Sequence, residues 1–286
     1  MSFVVTGATG HLGRLAVEAL LRRGTAPEQI VAVGRTVQKL DDLAARGVRV
    51  AQIDYTRPET LGAAFEGAEA LLLVSGSEVG QRVAQHTNVV TAAKAAGVAR
   101  IVYTSAPHAD TSELVLAPEH KVTEQLIRDS GIPFTLLRNN WYTENYVSTL
   151  EQARKTGTVV GSAGAGRVAS ATRADYADAA AVVLTGTGHD NAVYELSGDV
   201  AWSFDELAAT IATIVGREVS YEAVTPEEHL AILTAAGLDE GTAGFVVALD
   251  GNIRDGALAE TSGELNGLIG RPTTSLEAGL RAALGA

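Results

Sequence analysis

Six short apolar runs punctuate the first half of this 286-residue chain: Phe3–Thr6, Ile30–Gly34, Val48–Ile53, Ala70–Ser75, Arg100–Ser105 and Phe134–Leu137. Runs that are apolar at nearly every position suit strands buried on both faces, with the intervening helices as their cover. Those helices are predicted at 12–23, 36–46, 59–66, 80–96 and 119–130. Gly24, Gly97 and Gly131 stand at three of their ends, where a left-handed cap favours glycine. Right-handed crossovers between such strands build an α/β fold, a Rossmann-type doubly wound parallel sheet. From about residue 140 the texture changes to Gly- and Ala-rich turns such as 161–166. Further strands are predicted at Val193–Ser197 and Val219–Glu222, and helices at 175–185, 204–215, 226–236 and 275–284. Ser203 is the expected N-cap of the second of these helices. The expected division is a sheet domain over 1–150, which later segments rejoin, and a smaller loop-rich α/β lobe over 151–286.

The absence of cysteine removes disulfides, thiolate metal sites and thiol nucleophiles together. A formal net charge of −12, from 22 basic and 34 acidic residues, disfavours a nucleic-acid partner, whose phosphates demand clustered Lys and Arg. No stretch approaches the ~18 apolar residues of a membrane span, and the first residues lack a basic region followed by a long apolar one, so neither a membrane partner nor secretion is expected. The cytoplasm is the expected location. His11, His86, His108, His189 and His229 show no metal-ligand spacing, and no metal is expected.

The sharpest local signal is Val4-Val5-Thr6-Gly7-Ala8-Thr9-Gly10-His11-Leu12-Gly13, a strand running into a GxxGxxG turn and then a helix. Glycines there allow a tight turn, close approach to a pyrophosphate and helix-to-sheet packing, while the helix N-terminus offers N–H groups and a positive dipole end. Residues Thr6 to Gly13 are therefore predicted to bind a dinucleotide, His11 touching phosphate. The second strand ends at Arg35, where an acidic residue would select a ribose 2′-hydroxyl. A guanidinium there suits a 2′-phosphate, no acidic residue follows in sequence before Asp41, and NADPH is the expected cofactor. Asp54, past the third strand, either accepts from the adenine amino group or caps the turn before Pro58. Val74-Ser75-Gly76, at the end of the fourth strand, are small residues expected to run along the cofactor.

With these pieces in place the chain resembles the NmrA-like atypical short-chain dehydrogenase/reductases, and within them the type-two NADPH quinone oxidoreductases. The resemblance covers essentially the whole chain and rests on LLLVSGSEVGQR at 71–82, HADTS at 108–112, TLLRNNWYTENY at 135–146, ASATRADY at 169–176 and LIGRPTT at 268–274. It implies NADPH binding, a substrate cleft between the sheet and the C-terminal lobe, and hydride transfer to quinones.

One departure stands out. Ordinary members of the wider family use a YxxxK pair, the tyrosine protonating a carbonyl and the lysine lowering its pKa. Counted back from Gly131-Ile132-Pro133, the lysine's place falls on His120, beside Lys121, and four residues earlier stand Leu116 and Ala117. Carbonyl reduction by a tyrosine acid is not expected. Quinone reduction tolerates this, since water protonates the hydroquinone anion afterwards, with His120 as the candidate proton donor or ribose anchor. The loop after the sixth strand places Asn139 and Asn140 to bond the carboxamide or ribose and Trp141 and Tyr142 to wall a planar acceptor; the competing reading is that this pair opens a helix. Arg138 reads as half of a structural ion pair, and Asp175-Tyr176 as a helix start.

The leading expectation is an NADPH-dependent oxidoreductase that passes a hydride to quinones or similar small planar acceptors without flavin or metal, as a monomer or homodimer. Two alternatives stand beside it: a reductase of cationic triarylmethane dyes, and a redox sensor that binds NADPH without turning it over.

Overall fold

The computed structural model describes residues 2–285. Strand β1 (Ser2–Val5) leads through the glycine turn into α1 (His11–Arg22), followed by β2 (Ile30–Gly34), α2 (Asp41–Ala45), β3 (Arg49–Gln52), α3 (Gly62–Phe65), β4 (Ala68–Leu73), α4 (Arg82–Ala95), β5 (Ile101–Ser105), α5 (Ala117–Ser130) and β6 (Phe134–Asn139). After α6 (Val147–Thr156), β7 (Thr158–Gly161) and β8 (Arg167–Val168), the chain returns with α7 (Arg173–Thr185) and β9 (Ala192–Leu196). It ends with β10 (Trp202–Ser203), α8 (Phe204–Val215), β11 (Ser220–Ala223), α9 (Pro226–Ala235), α10 (Glu240–Arg254), α11 (Glu264–Ile269) and α12 (Leu276–Leu284).

Two compact units share this chain, and no single break at residue 150 separates them. The first runs up to Asp110 and includes Leu116–Asn139 and Arg173–Leu196; the second comprises Thr111–Val115, Asn140–Thr172 and the chain from Ser197 onward.

In the first unit seven strands form one sheet of order β3-β2-β1-β4-β5-β6-β9, every neighbour parallel. The order reverses between β1 and β4, and open α/β sheets bind ligands beyond the carboxyl ends of the strands at such a switch point. Strands β1, β2, β5 and β6 are buried at every residue, which is why their sequences read as unbroken apolar runs. α1 packs on α7 and α4 on α5. Val4, Val31, Leu71, Tyr103 and Leu136 from the strands meet Phe65, Val89 and Ile127 from the helices in one core cluster. The glycines expected at helix ends, Gly24, Gly97 and Gly131, take φ of +88°, +70° and +75°.

Arg138 ties this unit together. From β6 it grips Glu124 of α5 through both carboxylate oxygens, Nε to Oε1 at 2.9 Å and Nη2 to Oε2 at 2.7 Å. Nη1 adds Glu195 of β9 and Asp110, each at 2.9 Å. The Arg138 and Glu124 side chains are only 6% and 4% exposed. The ion pair expected from the sequence is thus a buried node joining two strands and a helix.

The second unit carries two two-stranded sheets, β10 with β8 antiparallel and β11 with β7 parallel. Ser203 caps α8 as expected, in a reciprocal capping box with Glu206, and Thr225 with Glu228 repeats the device at α9. Helices α6, α10 and α11 were not expected. In α10, Gly241, Gly244 and Gly251 weaken the helical pattern. The cap of Asp239 on the Thr242 N–H, at 3.0 Å, and burial of Ala243, Leu249 and Ile253 outweigh them. Ser162, His229 and Asp250 form a buried knot here: Asp250 Oδ2 accepts from Ser162 N at 2.7 Å and lies 3.2 Å from His229 Nδ1. No helix among the described residues is long and apolar enough to cross a membrane.

Arg138→Met leaves Glu124 charged and buried without its partner, a change that costs about 3–5 kcal/mol. Urea unfolding should show that loss, and Arg138→Met combined with Glu124→Leu should recover part of it.

Candidate functional site

The glycine turn is built by backbone contacts that side chains would forbid. Gly7 takes φ +61°, accepts the Gly10 N–H at 2.9 Å, and lies against the side chain of Val74. A Cβ on Gly13 would sit 2.4 Å from the Gly7 carbonyl oxygen, so only glycine lets α1 come down on the turn. Gly34, at the end of β2, is equally close to the side chain of Thr9, where a Cβ would meet Oγ1 at 2.7 Å. α1 starts at N-cap Gly10 with no side-chain cap and no acidic residue in its first turn. Its first N–H groups, from His11, Leu12 and Gly13, have no intrahelical acceptor. A cradle of close backbone and uncapped donors fits the phosphates of a dinucleotide. Leu12 and Ala8 are buried, and the Ala8 N–H already donates to Val33 O at 3.0 Å, so Leu12 offers its amide alone and Ala8 only its outline; His11 is exposed.

The geometry corrects several expectations. The Thr6 hydroxyl is saturated: it donates to Leu72 O at 3.0 Å and accepts from Val74 N–H at 3.0 Å and from the Tyr55 hydroxyl. Thr6 pins β1 to β4 and has no bond left for a cofactor. Backbone groups after β4 are also taken. Besides Val74 N–H, which donates to Thr6, Ser75 N–H donates to Thr104 Oγ1 at 2.9 Å, and Gly76 N–H donates to His86 Nε2 at 3.0 Å. Val74, Ser75 and Gly76 therefore offer a small contour with no free backbone N–H. Of the two readings of Asp54, turn capping is the one the structure shows: Oδ1 accepts from Thr56 N–H at 2.9 Å and Thr56 Oγ1 at 2.8 Å. Those bonds, with Arg35 and Arg57 nearby, hold its carboxyl below the usual carboxylate range.

Arg35 is exposed at the end of β2 and has an acidic partner after all, Glu78, 43 residues on in the loop after β4, with Nη1 to Oε1 at 2.9 Å. Sequence distance hid it, because the strand order brings the ends of β2 and β4 to either side of β1.

His120, the candidate proton donor or ribose anchor, is buried. In the first turns of α5 it is 5% exposed, and its Nδ1 lies 2.7 Å from the hydroxyl of Tyr103, a fully buried residue of β5. Burial first, then the neighbouring Arg82 and His86, pushes its pKa down to about 3. At neutral pH its ring is an uncharged hydrogen-bonding group. The partner of His120 is thus delivered by a strand, which no spacing along α5 could reveal; burial raises the Tyr103 phenol well above the usual value. Beside it, His86 accepts from Gly76 N–H at Nε2, so its proton is on Nδ1, donated to Thr123 Oγ1 at 3.0 Å. Burial and then Arg82 push His86 down to about 4.

The loop expected over Asn139 to Tyr142 divides between the units. Asn139 is buried at the end of β6, whereas Asn140, Trp141 and Tyr142 belong to the second unit. The Asn140 side chain is engaged there, accepting from Trp141 N–H at 2.7 Å and donating one N–H to Leu258 O at 3.3 Å. Tyr142 bridges to Ala171 and precedes a short helical turn, Thr143–Tyr146, so neither Trp141 nor Tyr142 opens the helix itself. Asp175, by contrast, does lie in the first turn of α7.

Comparison with known proteins bears on this site. A family model described as NAD(P)H-binding matches residues 7–187, from the glycine turn to just past α7. The chain belongs to this NAD(P)H-binding family. Quinone oxidoreductase 2 of Escherichia coli (strain K12) is 48% identical over 272 residues, 95% of each chain. A crystal structure of the NADPH-dependent quinone oxidoreductase from Escherichia coli, complexed with NADPH, matches with TM-score 0.94 and 46% identity over 99% of both chains. The Citrobacter sp. triphenylmethane reductase complexed with NADP(H) matches with TM-score 0.93 and 41% identity, over 99% of this chain and 100% of that one. Rossmann-type architecture, nicotinamide-cofactor binding and oxidoreductase activity are properties of this chain.

His86 and His120 ionise near 6.5 in the unfolded chain but only near 4 and 3 when folded, so the unfolded state binds more protons across that window. Their contribution is whole above about pH 6.5 and is lost as pH falls. Urea unfolding at pH 5 should show roughly 3–4 kcal/mol less stability than at pH 7, with both imidazoles still neutral by NMR in the folded protein at pH 5.

Proposed function

We propose that this protein is an NADPH-dependent oxidoreductase that reduces quinones and similar small planar acceptors by direct hydride transfer. The observation that carries the cofactor is the uncapped N-terminus of α1 held against the glycine turn, with a guanidinium at the end of β2. The acceptor rests on the relative that is 48% identical. Bound NADPH supplies the hydride, and a quinone that receives it becomes an aromatic hydroquinone anion that water protonates. The amides of His11, Leu12 and Gly13 bind the diphosphate and Arg35 the 2′-phosphate. Val74, Ser75 and Gly76 supply a contour without competing N–H donors. His120, neutral and hydrogen-bonded to Tyr103, orients a ring and donates no charge-assisted proton, which fits an acceptor that needs no protein acid. We place the protein in the cytoplasm, where NADPH is supplied, as a monomer or homodimer.

Purified protein with NADPH and a small quinone panel should consume nicotinamide absorbance. Binding of NADPH with no consumption across the panel would instead identify a redox sensor. Arg35→Asp should lower the NADPH-over-NADH preference at least tenfold; an unchanged preference removes Arg35 from cofactor selection.

One observation favours cationic planar acceptors as a second substrate class. The second unit holds seven basic against seventeen acidic residues, and the first 15 against 17, so nearly all the net charge lies in the second. A field of that sign attracts cations and is screened by salt. kcat/KM for a cationic triarylmethane dye should therefore fall more steeply with ionic strength than kcat/KM for a neutral quinone.

A further inference from the structure

The anion position of Arg35 is already claimed from within the chain. Glu78 is held on both oxygens: Oε1 accepts from Arg35 Nη1 and Oε2 from Gln85 Nε2, each at 2.9 Å, and Gln85 is a buried residue of α4. The loop that carries Glu78 is itself pinned on both sides. Gly76 N–H donates to buried His86, and the Gly76 carbonyl accepts from Arg82 Nε. Further on, Gly80 N–H donates to Glu119 Oε1 at 3.0 Å, and Arg82 Nη1 reaches Glu119 Oε2 at 3.2 Å. At the other end the Arg35 carbonyl accepts from Gln52 Nε2 at 3.0 Å, fixing the backbone from which the guanidinium projects. The carboxylate is thus aimed at Arg35 by α4, α5 and β3 together.

We propose that Glu78 is a cofactor-selecting residue, an internal anion on Arg35 that a 2′-phosphate must displace. This rests on the reading of Arg35 as the 2′-phosphate ligand. A phosphate monoester carries about −1.5 to −2 charges at neutral pH and outcompetes a single carboxylate for a guanidinium. A cofactor with a free 2′-hydroxyl makes no demand on Arg35 and leaves the pair closed. Glu78 therefore weakens NADPH binding and leaves NADH binding alone, so the selectivity Arg35 creates is partly offset by a residue 43 positions away. When a 2′-phosphate leaves, the carboxylate recaptures the guanidinium, which favours cofactor exchange over retention. The pair is exposed, 64% for Arg35 and 44% for Glu78, and pairs of that kind are worth a factor of about two to five.

Dissociation constants of NADPH and NADH, measured by nicotinamide fluorescence at low ionic strength without any acceptor, test this directly. Glu78→Gln should tighten NADPH about two- to fivefold and leave NADH unchanged. Glu78→Ser, also uncharged, should do the same, which separates loss of charge from any contact made by the new amide. Arg35→Ala should weaken NADPH toward NADH. If both Glu78 variants leave NADPH binding unchanged or weaken it while Arg35→Ala also weakens it, Glu78 is no competitor and the Arg35 reading stands. If Arg35→Ala leaves NADPH binding unchanged, the Arg35 reading falls and this inference with it.

Discussion

Everything at the carboxyl edge of this sheet depends on how closely α1 approaches the turn that precedes it. No side chain fits between Gly13 and the Gly7 carbonyl, and the positive φ of Gly7 bends the chain back so that Gly10 can close the turn. That contact presents the uncapped helix end at the point where strand order reverses. It also lets the Ala8 amide bond the Val33 carbonyl and Thr9 lie over Gly34, which fixes where Arg35 begins. A methyl group at Gly13 would disturb the donor array, the β1–β2 junction and the cation together.

Around this helix end the fold consumes other polar groups within itself. Thr6 and Thr104 take up the backbone N–H groups of Val74 and Ser75 after β4, while His86 and Arg82 take both polar groups of Gly76. A buried polar group left unpaired is costly, so a strand end lined with such groups must either pair them or keep water. Pairing them leaves the donors of α1 as the conspicuous anion-binding array. The same economy explains the buried aromatic and imidazole groups: Tyr103, His86 and His120 are kept neutral by burial and hydrogen-bonded, so they hold geometry without adding charge.

Charge is distributed by unit and not spread evenly. The sheet unit is nearly neutral and the second unit strongly acidic. The uncapped amides of α1 and the Arg35 guanidinium thus stand in the unit where repulsion of a polyanion is weakest. A net charge of −12 disfavours long polyanions and leaves a small one compatible, because a few oriented dipoles suffice to hold a phosphate.

The sequence by itself determined the parallel sheet, its strand sequence, the glycine turn, the left-handed helix ends and the cation after β2, because each is a local pattern: an apolar run, a backbone that only glycine tolerates, a charge beside a strand end. It also marked Arg138 as an ion-pairing residue and Ser203 as a cap. Helix α10 escaped because glycines dilute its periodicity, and burial of Leu249 and Ile253 supplies what propensity lacks. Tertiary structure alone decided which polar groups were already spent. Thr6, Asp54 and Asn140 look like ligands as residue types, yet their atoms are bonded within the fold. The partners of His120 and Arg35, Tyr103 and Glu78, lie 17 and 43 residues away. Strand order sets those meetings, and strand order is a property of the folded sheet that no local spacing encodes.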